Sequence, residues 1–243
     1  TISISPCPND TFMFDAMLNG RIDTEGLEFD YSMADIEELN RQLLDGRGPD
    51  VSKASYAVVP SIVNDYLILT SGSALGSGNG PLLVTADESA GTADFDMKIA
   101  IPGKLTTANL LMERLFPHLS DKEPMLFSTI MGAIERGDYD AGVLIHEGRF
   151  TYRQHGLFLI ADLGIEWEKR TGLPLPLGAI VVSRQFSDEV AGKIDRVLRR
   201  SIEYAFANPG ESAEFIRAHA QEMDENVIKN HLLLFVNEFS LNF

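Results

Sequence analysis

Cysteine is nearly absent. Cys7 is the only one in 243 residues, so no intrachain disulfide can form, which fits a reducing, cytoplasmic compartment. Basic residues are scarce as well: 20 Lys and Arg stand against 36 Asp and Glu, a formal net charge of −16. A surface that negative repels phosphate backbones and anionic membranes, which argues against nucleic-acid partners. It leaves an anionic small molecule open, because a pocket can be locally positive. No apolar run is long enough to span a bilayer, and no signal peptide is legible at the start. The histidines at 118, 155, 219 and 231 make no metal-ligand spacing, so no metal site is expected. Gly-Lys-Ser/Thr and Gly-x-Ser-x-Gly are missing, which removes a Walker A loop and a serine-hydrolase elbow. The glycines of 72–80 make no dinucleotide fingerprint, since a strand follows them where a helix is required.

What is present is an ordinary globular composition, 44% hydrophobic and 23% charged, patterned as alternating strands and helices. Strands are expected at 2–5, 27–31, 51–54, 66–69 and 82–85, with helices at 11–18, 35–44 and 56–63. Ile36, Leu39 and Leu43 share a helical face. The stretch 71–81, SGSALGSGNGP, reads as a flexible connector, followed after the 82–85 strand by a small polar segment running through Phe95. A second α/β rhythm has strands at 98–101, 125–127, 141–145 and 157–161 and helices at 107–116 and 130–136. A strand at 179–182 precedes three helices, the first with Val190, Ile194, Val197, Leu198 and Ile202 toward the core. The class is α/β. Acidic clusters near Glu37 and Glu222 read as solvated helix faces.

Ligands of open α/β sheets bind beyond the carboxyl ends of strands, and polar residues collect at four such ends. In SPCPNDT (5–11), Asn9 or Asp10 can cap the first helix or contact a ligand, while Cys7 reads as a packed thiol. In Lys53-Ala54-Ser55, Ser55 can cap a helix starting at Tyr56, or the lysine and serine can hold a carboxylate or hydroxyl. In PGKLTTA (102–108), Thr106 can cap a helix whose free N–H groups would suit an anion. His146 directly follows an apolar strand and precedes Glu147 and Arg149; it is a structural imidazole or an acid–base group titrating near neutrality.

The segments SPCPNDTFMF (5–14), GSALGSGNGPL (72–82), PGKLTTA (102–108), LIHEGRFTY (144–152) and RTGLPLPLGAI (170–180) resemble the 1,4-dihydroxy-6-naphthoate synthases of the futalosine route to menaquinone. The resemblance spans the chain. It implies a type II periplasmic-binding-protein-like clamshell with discontinuous domains joined by two hinge strands: residues 1–85 plus 178–243 in one lobe and 86–177 in the other. It implies a cytoplasmic carbon–carbon lyase that takes cyclic dehypoxanthine futalosine and needs no cofactor. His146 is then the proton acceptor, with Lys53, Ala54, Ser55, Thr107 and Ala108 as substrate contacts. Thr106, Asn9 and Asp10 join them from the strand-end argument. Lobe closure would exclude water. The family carries a further helix after an FSLNF-like end, so a chain starting at Thr1 and stopping at Phe243 is expected to lack some sequence. The shared clamshell leaves a non-catalytic solute-binding or ligand-sensing protein as the competing expectation.

Overall fold

The computed structural model of the chain describes residues 1–94, 96–220 and 224–243. The helix face expected near Glu222 and the end of the polar segment at Phe95 lie outside the described residues. The chain divides into two compact units, Thr1–Leu75 with Pro176–Phe243, and Gly76–Leu175.

The first unit runs β1 (Ile2–Ile4), α1 (Pro8–Leu18), β2 (Tyr31–Met33), α2 (Ile36–Leu44), β3 (Val51–Ser55), α3 (Val59–Ile62), β4 (Tyr66–Ile68) and β5 (Ala74–Gly76). The second runs β6 (Leu82–Thr85), β7 (Ile99–Ile101), α4 (Thr107–Leu115), β8 (Lys122–Pro124), a 3₁₀ turn at Phe127–Thr129, α5 (Ile130–Glu135), β9 (Ala141–Leu144), α6 (Gly148–Thr151), β10 (Phe158–Asp162) and α7 (Leu163–Thr171). The chain then returns through β11 (Leu175–Ser183) to α8 (Asp188–Ala207), α9 (Ala213–His219), α10 (Glu225–Phe235) and α11 (Glu238–Leu241).

In the first unit the strands order as β2-β1-β3-β11-β4, with β5 also on β11. β1 is parallel to β2 and β3, with Ile2 opposite Tyr31 and Val51. β11 is antiparallel to β3, with Gly178 opposite Ser55. The core gathers Ile2, Ile4, Phe14, Ile180 and Val182 from sheet and central helix against Ile194, Val197, Leu198 and Ile202 of α8. Each such side chain contributes about 1.5–3 kcal/mol by leaving water. α1 is buried at ten of its eleven positions, Pro8–Met17. Its buried positions include Asn9, Asp10, Thr11 and Asp15 beside the apolar ones, so it shows no single apolar stripe. Ser201 ties α8 to it, donating from Oγ to the Met13 carbonyl at 2.7 Å and accepting from Met17 N at 3.1 Å.

In the second unit the order is β10-β6-β9-β7-β8. β7 is parallel to β8 and β9, whereas β6 is antiparallel to β9 and β10. The carboxyl ends of β7, β8, β9 and β10 thus share one end of the sheet with the amino end of β6. Gly142 in β9 lets α5 lie flat on the sheet: a Cβ there would stand 2.5 Å from Ile130 Cγ2 and 2.8 Å from Ile134 Cδ1.

Several expectations shift. The strand expected at 27–31 begins at Tyr31, and the one expected at 125–127 ends at Pro124, leaving Phe127 in a 3₁₀ turn. Leu27, Phe29 and Met125 nevertheless pack partly buried against the two cores. The helix expected at 56–63 shrinks to Val59–Ile62, starting with Pro60 in its first turn. The glycine-rich connector is not loose: Ala74–Gly76 is a fully buried strand, and Ser71 and Ser73 are buried with it. Residues 76–85, expected in the first lobe, belong to the second unit because β6 pairs with β9 and β10; Pro176 and Leu177 fall in the first.

Candidate functional site

The carboxyl end of the second unit's sheet carries His146. It follows β9 with φ 55°, one of two non-glycine residues with positive φ among the described residues. That conformation costs an L-residue about 1–2 kcal/mol and persists where surroundings impose it. The turn at Gly148 (N to the Ile145 carbonyl, 3.3 Å) starts α6 right after it. The ring is partly exposed and meets Phe127 edge-on, centroids 4.8 Å apart at 63°. Phe127 arrives there because β8 is parallel to β7, sending its carboxyl end the same way.

The PGKLTTA loop emerges beside His146, since β7 and β9 are parallel neighbours with Ile99 opposite Ala141. Thr106 caps α4, accepting from Asn109 N at 3.2 Å and donating from Oγ1 to the Gly103 carbonyl at 2.8 Å. Thr107 and Ala108 are buried in the first turn of α4. The third wall is a frame around Arg149. Its Nη1 donates to the Gly80 carbonyl at 2.6 Å and its Nη2 to Asp162 Oδ2 at 2.9 Å. Asp162 caps α7 with its other oxygen, accepting from Gly164 N and Ile165 N. The cavity of about 540 Å³ bounded by Thr85, Asp87, Ile134, Tyr139 and Asp140 sits at the opposite end of this sheet, away from His146.

The first unit builds a separate polar cluster at the carboxyl ends of β1 and β3. Lys53 Nζ lies 2.7 Å from Asp10 Oδ1, the two side chains 7% and 0% exposed. Asp10 also accepts from Ser5 Oγ at 2.6 Å, Ser5 N at 3.3 Å and Asn9 Nδ2 at 2.9 Å. Asn9 Oδ1 and His231 Nε2 are 3.0 Å apart. Gly178 makes room for the lysine, for a Cβ there would come within 3.0 Å of Lys53 Cε. Tyr56 adjoins this cluster in sequence. Burial holds its phenol above the usual range, partly offset by the hydrogen bond with Ser73.

Two capping expectations fail. Neither Asn9 nor Asp10 caps α1; Cys7 is the N-cap residue, without a side-chain capping bond, because Pro8 already fills the first turn and the Asp10 carboxylate is turned to Ser5 and Lys53. Ser55 caps nothing. It stays within β3, where Asn40 clasps it, accepting from Ser55 N and donating to its Oγ, each at 2.9 Å. Ala54 is buried in the same strand. Cys7 is buried, and Glu37 and Glu38 are partly exposed in the first turn of α2. Sequence reasoning missed Phe127, Asp162, Asn40 and His231. Only the Asp before an apolar helix at 163 carried a readable signal, as an N-cap. Among the described residues, no group of three or more His, Cys, Asp or Glu could hold a metal ion, and no helix is long and apolar enough to cross a membrane.

This topology defines the class. The alkanesulfonate-binding protein of Xanthomonas axonopodis superposes with a TM-score of 0.71 at 13% identity, covering 96% of this chain and 83% of that one. A Candida albicans protein with the generic periplasmic binding protein fold gives 0.72 at 14%, covering 99% and 82%. The chain has the periplasmic-binding-protein fold. A solved structure from Archaeoglobus fulgidus aligns more tightly, with TM-score 0.91 and 36% identity over 99% of this chain and 89% of that one. The chain belongs to the menaquinone biosynthesis family, whose model matches residues 1–243. The 1,4-dihydroxy-6-naphthoate synthase of Thermus thermophilus is 41% identical over 241 residues, 99% of this chain and 87% of the relative. That of Streptomyces coelicolor is 41% identical over 250 residues, 98% and 85%.

Proposed function

We propose that the chain is a carbon–carbon lyase that converts cyclic dehypoxanthine futalosine to 1,4-dihydroxy-6-naphthoate, acting in the cytoplasm, with His146 as general base. Near-complete coverage of two synthases at 41% identity supports the activity over ligand binding alone. The observation carrying the residue assignment is His146 itself: a partly exposed imidazole in a left-handed backbone conformation at a strand's carboxyl end.

The imidazole, in its neutral form, takes a proton from the substrate. The electron pair released flows into the ring system as the carbon–carbon bond to the sugar-derived fragment breaks. The imidazolium returns the proton to the departing fragment. Atoms and electrons balance without net redox change, and aromatisation supplies the driving force. Phe127 limits rotation of the ring. Thr106, Thr107 and Ala108 at the α4 start would receive the substrate carboxylate at the positive end of the helix. Lys53, Ala54, Ser55, Asn9 and Asp10 form the second group of substrate contacts in this reading.

General-base help is worth about 10²–10⁴-fold. His146→Ala should lower naphthoate formation, followed by absorbance or mass, by that factor while retaining the fold. A folded variant with most of its turnover rejects the assignment. Intact substrate recovered after long incubation with the unaltered protein would reject the lyase reading in favour of a binding protein.

A further inference from the structure

We infer that Arg149 is a positioning residue that holds His146 in its reactive conformation by pinning the start of α6 to a rigid frame, an inference resting on the proposed role of His146. His146 holds a left-handed backbone at φ 55° three residues before Arg149. A residue so strained relaxes unless neighbouring structure over-determines it. Arg149 supplies the constraint. Its side chain is 16% exposed, and its fork spans two acceptors from different segments: the Gly80 carbonyl before β6 at 2.6 Å and the Asp162 carboxylate ending β10 at 2.9 Å.

Those acceptors are themselves fixed. Asp162, 6% exposed, is held by Gly164 N and Ile165 N at 2.9 and 3.3 Å. Leu163 N donates to the Pro81 carbonyl at 2.9 Å. Gly164 lies so close to the 79–80 backbone that a Cβ there would stand 2.2 Å from the Asn79 carbonyl oxygen. Segments 79–81 and 162–164 therefore form one tight unit, and Arg149 ties the His146 turn to it. Two of the guanidinium's five N–H donors are spent on these acceptors, and the role inferred for it is exerted through the backbone. Lysine, a single point charge on a flexible stem, cannot span both acceptors.

Arg149→Met should lower kcat about 10–100-fold, the scale expected when a reacting group moves by about an ångström, with KM within about threefold. Arg149→Lys should recover part of that loss. In a His146→Ala background, Arg149→Met should cost nothing further. Wild-type kcat in Arg149→Met, a rise in KM with kcat unchanged, or a multiplicative loss on top of His146→Ala each overturns the inference. Should Arg149→Met fail to fold, Asp162→Asn serves: it weakens the same bond and should lower kcat without raising KM, and an unchanged kcat overturns the inference. His146→Ala separates the two levels. Retained turnover there sinks base and positioning together, whereas its loss beside a fully active Arg149→Met sinks the positioning alone.

Discussion

The His146 imidazole meets the edge of Phe127 with ring centroids 4.8 Å apart and planes at 63°. The two residues come from the ends of β9 and β8, which the parallel sheet aims the same way. An aromatic pair of this geometry contributes about 0.5–1.5 kcal/mol beyond burial. Phe127→Leu keeps the apolar volume and removes the ring contact. It should lower kcat about 2- to 10-fold, by the conversion of 1.36 kcal/mol per decade, with a fall of a few degrees in melting temperature. Steady-state kinetics checks this; an unchanged kcat means the ring does not depend on Phe127 for its orientation.

The buried pair Asp10–Lys53 should respond asymmetrically to truncation. Asp10→Ala leaves a buried ammonium without the carboxylate it faces, and breaking such a pair costs about 3–5 kcal/mol. Lys53→Met leaves Asp10 still served by Ser5 N, Ser5 Oγ and Asn9 Nδ2, so its loss should be smaller. Urea unfolding of both variants decides it, and equal losses would contradict the role given to those donors.

Two glycines should behave oppositely on conversion to alanine. At Gly164 the new Cβ meets the Asn79 carbonyl carbon and oxygen at 2.3 and 2.2 Å. Backbone cannot retreat cheaply, so a loss of about 1–3 kcal/mol is expected. At Gly192, within α8, the nearest atom is the mobile Arg196 Nη1 at 3.7 Å. There alanine should stabilise by about 0.5–1 kcal/mol through helix propensity. Calorimetry of both variants provides the check.

Asp35 gives a pH-dependent outcome. It caps α2 through Glu37 N, while its Oδ2 is buried without a hydrogen-bond partner. Desolvation by burial raises its pKa above the ordinary 3.8, opposed by the backbone bonds from Glu37 and Ile36. A carboxyl with a raised folded-state pKa favours the fold when protonated. That contribution is present below the unfolded pKa and lost as pH rises through the folded one. Asp35→Asn keeps the cap and removes the charge. It should match the unaltered protein at pH 3 and unfold at higher denaturant at pH 7; a reversed order would contradict the burial argument.

Much of the fold was readable from the chain. Short apolar runs marked β1, β3, β6, β9 and β11, and the stripe of Ile194, Val197, Leu198 and Ile202 marked α8. Local patterning suffices where a side chain's burial depends on its own element. It fails for Met125 and Phe127, apolar residues that pack in a turn beyond the end of β8. It fails also in the 71–81 stretch, where Gly72 and Gly80 read as slack yet a Cβ would meet Ile180 Cγ1 at 2.4 Å and Gly164 N at 2.6 Å.

For the site, sequence alone determined which residues stand at strand ends, His146, Lys53 and the Thr106–Ala108 helix start among them, because strand, turn and cap signals are local. Only the tertiary structure decided what those residues touch. The Arg149 fork on Gly80 and Asp162, Phe127 against His146, and His231 beside Asn9, 222 positions away in the chain, all join distant segments. Such contacts are set by strand order and direction, which a sheet fixes through pairing between segments and which no single segment encodes.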